Sequence, residues 1–248
     1  MKKVLEKFSN YYIIFLVYAL IGWLYEVFLL WFVMKPYKFV NRGVLLGPFL
    51  PIYGFGVLLL VICLRNFMKK KHTLKNPIYL FTSVITVVSF IYITVIEYTT
   101  PKIYHVDKFF SEYGLQLVLT NIIVLVAVYL LTLLHKKLEK IDVTIVLVFL
   151  FIWILTTVLE YVSHYTMDKC FSKILWDYSK DFLNINARVN WDASRNFAIG
   201  GTFLLYTVQP LLNKFLKHTT VKTKQIIALI IGIPMILDFV FHVILKLI

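Results

Sequence analysis

Long apolar runs separated by short basic segments dominate the pattern along the chain. Seven stretches, 11–34, 44–64, 78–100, 115–134, 143–165, 196–215 and 225–247, each approach the ~20 residues a helix needs to cross about 30 Å of hydrocarbon. The pattern predicts an all-α, polytopic integral membrane helix bundle with about seven transmembrane helices. It forms one membrane domain over 1–248, with 225–247 as an additional C-terminal span. The second stretch is irregular, since Gly47, Pro48, Pro51, Gly54 and Gly56 crowd its first half. A broken or re-entrant entry is expected there, which needs protein or water to satisfy the freed backbone groups. The first stretch follows Met1-Lys2-Lys3, yet it is too long for a signal-peptide core and has no small-residue cleavage site, so it reads as a span.

Composition agrees with that reading. The chain is 60% hydrophobic and 16% charged, where soluble domains run near about 45–50% apolar and about 25% charged. Its mean hydropathy is +0.80. With the loops assigned alternately to two sides, one side holds Lys2, Lys3 and Lys7, Arg65 to Lys75, Lys136 to Lys140, and Lys214 to Lys224, in all 15 of the 26 basic residues. The denser, shorter set should be cytoplasmic, which puts the N-terminus inside and the C-terminus outside. The net charge of +13 then suits anionic lipid headgroups, and no nucleic-acid-binding module is present. Cys63 and Cys170 fall on opposite sides, so no disulfide between them is expected. Abundant Lys over Arg, with many Ile, Phe and Tyr, points by composition to a bacterial plasma membrane.

Carboxylates inside the apolar runs carry the candidate chemistry. Glu26, Glu97, Glu160 and Asp238 sit on the first, third, fifth and seventh stretches. An ionised group at the centre of a span costs at least about 2.5–3.5 kcal/mol, so these acids should face one another, a cation or water. All four lie past the midpoints of spans that run outward. The 166–195 loop is longer than a connector requires and is expected to fold over the outer helix ends, bringing Arg188 toward the acids; for the part near Phe171 a surface helix is an equal alternative. Thr94-Val-Ile-Glu-Tyr98 and Thr157-Val-Leu-Glu-Tyr161 form a weak repeat. Glu160 and His164 are spaced i, i+4, which can present two metal ligands, with His105 or Asp177 as a third. Asp238 and His242 share that spacing.

Several motifs occur together: Gly22-Trp-Leu-Tyr-Glu26, Asn41-Arg-Gly43, Gly47-Pro-Phe-Leu-Pro-Ile-Tyr-Gly-Phe-Gly56, Leu159-Glu-Tyr161, Trp176-Asp-Tyr-Ser179, Asn184-Ile-Asn-Ala-Arg188 and Gln209-Pro210. In type and order, over residues 10–212, they resemble the bacterial putative ABC-transporter type IV membrane family. The resemblance implies a permease-like membrane subunit without a known substrate. Ala187 departs from it, because the family pattern there reads Asn-Ile-Asn-Gly-Arg, and the methyl puts the geometry of that turn in question.

No Gly-x-x-x-x-Gly-Lys-[Ser/Thr] motif occurs, so this chain has no cofactor of its own and would meet ATP only through a separate ATP-binding subunit. The inner loops are only about ten residues long, which argues against conventional coupling helices. The expected role is the permease component of an ABC-type transporter, in the lipid bilayer and open to homo-oligomerisation, rather than an enzyme. Its polar pocket would lie in the outer half of the membrane, with Glu26, Asn41, Arg42, Glu97, Glu160, Trp176, Asp177, Tyr178, Asn184, Asn186 and Arg188 as substrate-binding residues. There Arg42 and Arg188 would neutralise the acids or hold an anionic group. Two alternatives are an enzyme acting on a lipid-linked substrate by paired acids, for which no nucleophile is evident, and a scaffold or sensor that binds a ligand without moving it.

Overall fold

A computed structural model describes residues 2–33, 39, 41, 45–100, 103, 105–172, 174 and 176–241. Arg42, Gly43 and residues 242–247 of the expected seventh span, with His242, lie outside these. The described residues form α1 (Lys2–Val33), α2 (Pro51–Leu64), α3 (Pro77–Thr99), α4 (Val106–Leu134), α5 (Thr144–Phe171), α6 (Trp191–Phe203), α7 (Gln209–His218) and α8 (Val221–Phe239), and no strand occurs among them. A π-helical turn, Leu204–Val208, joins α6 to α7. The seven expected stretches therefore appear in order, the sixth as α6, π turn and α7. Val4–Phe28, Pro77–Thr99, Val106–Leu134 and Thr144–Cys170 are long and apolar enough to cross a membrane.

Helix ends differ from the apolar runs where charged residues continue a helix. The fourth starts at Val106 instead of 115, because Phe109 on its polar first turns is fully buried against Ile103, Phe182 and Trp191. The fifth continues to Phe171, so the expected separate surface helix there is the last turn of α5.

The chain divides into two compact units, Met1–Arg65 with Leu205–Ile248, and Asn66–Leu204. In the first, α1 packs against α2 and α8. Ile13, Ile14, Leu16, Tyr18 and Ala19 are buried on every face of α1, as a central helix requires. The buried Tyr18 hydroxyl donates to Gln209 Oε1 at 3.0 Å, and Gln209 Nε2 donates in turn to Asn213 Oδ1 at 2.8 Å.

Residues 45–50 before α2 are non-helical, and several of their backbone groups bond to protein. Asn41 Nδ2 donates to the Leu45 and Leu46 carbonyls, both at 3.0 Å, while Asn41 Oδ1 accepts from Trp23 Nε1 at 2.6 Å. Asp238 accepts from the Leu46 amide at 3.2 Å and the Gly47 amide at 2.7 Å, and the Leu50 amide donates to the Ala19 carbonyl at 2.9 Å. Pro51 then starts α2 where its missing N–H costs nothing.

Glycine lets α1 and α2 approach closely. A Cβ on Gly54 would sit 2.6 Å from the Phe15 backbone oxygen, whereas one on Gly56 would meet nothing within 4 Å.

In the second unit α3 packs on α4 and α5, and α5 on α6. Asn76 caps α3, accepting from the Ile78 amide at 2.9 Å. The segments after α2 and after α4 pair with each other. The Leu74 amide donates to the Ile141 carbonyl at 3.2 Å, Val143 to His72 at 2.8 Å and Lys75 to Glu139 at 3.0 Å. His72, nearly buried, stacks on Phe67 at 3.8 Å. Asp142 accepts from the Thr144 hydroxyl and amide, which hold its carboxyl below the usual carboxylate range. Two short basic loops thus become one surface, on which Lys69, Lys70, Lys71, Lys75, Lys136, Lys137 and Lys140 are all exposed.

Because the obstacle at Gly54 is backbone and cannot rotate away, Gly54→Ala should destabilise the purified protein by about 1–3 kcal/mol. Gly56→Ala should melt like the parent; equal melting of both variants would refute the close approach.

Candidate functional site

Helix α5 supplies the base of a polar neighbourhood in the second unit. Glu160, His164 and Asp168 recur every four residues and so share one face of α5, with Tyr161 and Tyr165 on the row beside them. The helix ends at Ser172, which is left-handed at φ 50 and donates its amide to the Asp168 carbonyl at 3.1 Å. Residues 176–190 then run back along that face as a strap without regular structure.

Backbone and side-chain hydrogen bonds shape the strap. The Tyr178 amide donates to the Ala187 carbonyl at 3.0 Å, and the Trp176 indole donates to the Arg188 carbonyl at 2.7 Å. The buried Asn184 donates to the Ser179 and Asp181 carbonyls and accepts from the Ala187 amide at 3.1 Å. Asp177 is exposed and accepts from the Ser179 amide at 2.9 Å, which holds its carboxyl below the usual range. A tight turn, closed by the Arg188 amide on the Ile185 carbonyl at 3.0 Å, has Asn186 and Ala187 at its centre with φ 52 and 59. Two left-handed residues in succession favour Asn-Gly.

Contacts between strap and helix run in register. Tyr178 donates its hydroxyl to Glu160 Oε1 at 3.1 Å, and one turn on, His164 Nε2 lies 2.8 Å from the Trp176 carbonyl. A carbonyl only accepts, so Nε2 of His164 carries the hydrogen. A further turn on, Arg188 Nη2 donates to Asp168 Oδ2 at 2.8 Å. The same guanidinium lies over Tyr161 and Tyr165, 5.6 and 5.3 Å from the ring centroids, and Asn186 Nδ2 donates to the Tyr161 hydroxyl at 3.0 Å. Three buried polar atoms here have no hydrogen-bond partner: Glu160 Oε2, His164 Nδ1 and Arg188 Nε. Unsatisfied buried groups are costly, so each calls for a partner such as water, an ion or a ligand.

Glu97, at the end of α3, has different partners. It accepts from the Trp191 indole at 3.1 Å and from Arg195 Nη1, while Arg195 Nη2 also holds Asp192. Trp191 is in turn nearly buried among Ile93, Phe109 and Phe182.

Of the expected substrate-binding residues, Glu160, Trp176, Tyr178, Asn186 and Arg188 therefore assemble on α5. Asn184 holds the strap's backbone, Asp177 a turn at its edge, and Glu97 an ion pair with Arg195. A depression of about 250 Å³ is lined by Asn184 and Asn186 together with His105, Asp107 and Ser179. In the first unit Glu26 accepts from the Tyr53 hydroxyl at 2.6 Å, and Asn41 braces the entry to α2. Among the described residues no set of three His, Cys, Asp or Glu is placed to hold a metal, so Glu160 and His164 gain no third ligand of those types.

Arg195, Asp168, Tyr161 and Tyr165 were not anticipated as site residues. The i, i+4 spacing of Tyr161 and Tyr165 already lies within the apolar run 143–165, whereas that of His164 and Asp168 is visible in the sequence only once α5 is extended past 165. Arg195 lies three residues after Asp192, a helical spacing hidden while 166–195 reads as a loop.

Ala187→Gly should raise the melting stability by about 1 kcal/mol, since an L side chain in the left-handed region costs roughly 1–2 kcal/mol. A fall in stability would mean that the turn is not left-handed at this residue.

No curated protein and no solved structure matches the chain. A family model described as putative ABC-transporter type IV matches residues 13–113 and 102–243. Those segments together run over most of the chain, and the apolar helices they contain agree with a transport-related membrane protein. The chain belongs to the family described as putative ABC-transporter type IV.

Proposed function

We propose that this protein is the membrane-embedded permease component of an ABC-type transporter in a bacterial plasma membrane, with its N-terminus cytoplasmic and the ATPase on a separate polypeptide. Family membership carries the reading. The lysine-rich surface made by the paired segments after α2 and α4 supports it, because it supplies what each loop alone is too short to form, a shaped cytoplasmic platform for a partner. Its exposed lysines favour an acidic face on that partner through electrostatic complementarity.

Substrate would be taken at the far ends of α3 and α5. There the unpaired oxygen of Glu160 accepts and the unpaired Nε of Arg188 donates, a combination that fits a polar solute with both kinds of group. Glu97 with Arg195 remains part of the proposed binding set with Trp176, Asp177, Tyr178, Asn184 and Asn186, while Glu26 with Tyr53, and Asn41, are proposed separately as substrate contacts of the first unit. Arg42 belongs to the same proposal from the sequence alone.

Affinity isolation from the host membrane should recover a stoichiometric P-loop ATPase, and the double variant Lys136→Glu/Lys137→Glu should lower that recovery at least about tenfold. Glu160→Gln and Glu97→Gln should each insert normally and retain the partner. In the isolated complex each should reduce ATP turnover about tenfold, the scale set by losing a charge-assisted hydrogen bond of about 1.5–3 kcal/mol. Absence of any ATPase under gentle extraction would overturn the ABC reading in favour of a lipid-active enzyme or a ligand-binding scaffold. Full turnover in both acid variants would instead overturn the pocket.

A further inference from the structure

The geometry points to the exposed face of α4 as the surface on which a second copy of this chain packs, helix against parallel helix, with Gln116 facing its counterpart. Of the four helices long and apolar enough to cross a membrane, α4 is the least covered by the rest of the chain. Its covered side faces α3. There Leu117 is buried in one cluster with Ile93, and Asn121 Nδ2 donates to Ser89 Oγ at 3.2 Å and to the Leu117 carbonyl at 2.9 Å. On the side away from α3, Gln116, Leu119, Ile123, Val126, Leu130 and Leu133 are all exposed and alternate three and four residues apart. That spacing makes a straight seam for a partner helix crossing at about 20°.

An apolar seam alone would suit acyl chains equally well, but the amide of Gln116 does not. Helices α3, α4 and α5 carry two amide side chains, Asn121 and Gln116. Asn121 uses both N–H groups inside the chain. Gln116 Oε1 accepts from the Tyr92 hydroxyl at 3.0 Å, whereas its exposed Nε2 has no partner among the described residues. Tyr92 lies seven residues, about 10 Å, inward from the end of α3 at Thr99. Gln116 lies one turn inward from the exposed Lys108–Glu112 ion pair. At that depth lipid offers no acceptor, and an open N–H in hydrocarbon is costly.

A second copy supplies the missing partner. Two copies sit in one membrane with the same orientation, so a two-fold axis along the membrane normal brings each residue of the seam beside itself. Nε2 of each Gln116 then donates to the second lone pair on Oε1 of the other, and the bond from Tyr92 persists in both. Any other membrane protein would need a matching polar group at this depth, which a copy carries by construction. A single polar side chain in an otherwise apolar seam also fixes register, since every slipped pairing leaves both amides open. Neither the lysine platform nor the strap takes part, so the pairing is independent of the permease reading.

The test uses the full chain in lipid vesicles, with the exposed Cys63 and Cys170 changed to serine. Ile123→Cys places a thiol on the seam, while Val118→Cys and Leu131→Cys place one on exposed flanks of the same helix. Under mild oxidation Ile123→Cys should form a covalent dimer at least about tenfold faster than either flank variant, since a disulfide needs Cα atoms within about 7 Å. Gln116→Leu, read by energy transfer between labelled copies over a series of protein-to-lipid ratios, should move half-association to about tenfold higher protein density, the scale of two interhelical hydrogen bonds. Tyr92→Phe removes the same bond between α3 and α4 but keeps the amide. It should associate like the parent, which separates loss of pairing from damage to the fold. A chain that stays monomeric across the series, equal cross-linking at seam and flanks, or parent-like association of Gln116→Leu would overturn the pairing.

Discussion

A carboxylate on an apolar helix needs a hydrogen-bond donor, because neither hydrocarbon nor a packed core supplies one. Glu26, Glu97, Glu160 and Asp238, the four acids inside the expected apolar runs, each have a donor from another segment. Glu26 takes the hydroxyl of Tyr53 on α2, Glu97 the indole and guanidinium of Trp191 and Arg195 at the start of α6, and Glu160 the hydroxyl of Tyr178 on the strap. Asp238 takes two backbone amides of the irregular entry to α2. The acids thereby tie non-helical segments to helices, so removing one of them frees more than a charge.

Irregular backbone obeys the same constraint from the other side. The residues before Pro51 cannot bond to themselves as a helix does, and Asn41 and Asp238 supply the missing acceptors and donors. Asn41 uses both ends of its amide in this, with Trp23 on the oxygen. The strap over α5 is built in a similar way around Asn184, and its tight turn accepts a left-handed Ala187 because the surrounding hydrogen bonds hold it there. In both places polar residues that look like ligand contacts in the sequence have a structural partner. Of the buried atoms without a partner among the described residues, those of Glu160, His164 and Arg188 lie together between α5 and its strap, and Asn10 Oδ1 lies apart on α1.

That contrast separates groups braced within the chain from groups that are not. Ion pairs such as Arg195 with Glu97 and Arg188 with Asp168 neutralise their own charges, at the cost of desolvation that the hydrogen bonds offset. An orphaned acceptor has no such offset from the described residues. On the opposite loops, pairing of two short segments turns scattered lysines into a single surface, a feature of shape that neither segment has alone.

Hydrophobic runs by themselves determined the helical class, the order of the helices and the broken start of α2, since a residue's preference for hydrocarbon is local and additive along a window. Motifs such as Asn41-Arg-Gly43 and Trp176-Asp-Tyr-Ser179 were enough to indicate the family, and the departure at Ala187 marked a turn that does adopt a glycine-like conformation. Only the tertiary structure decided that Glu97 meets Arg195, that Arg188 meets Asp168 rather than Glu26, Glu97, Glu160 or Asp238, and that the row on α5 extends to Asp168. These pairings depend on where a chain segment returns in space. In membrane helices, lipid-facing and buried sides are equally apolar, so nothing in the pattern of residues records that return.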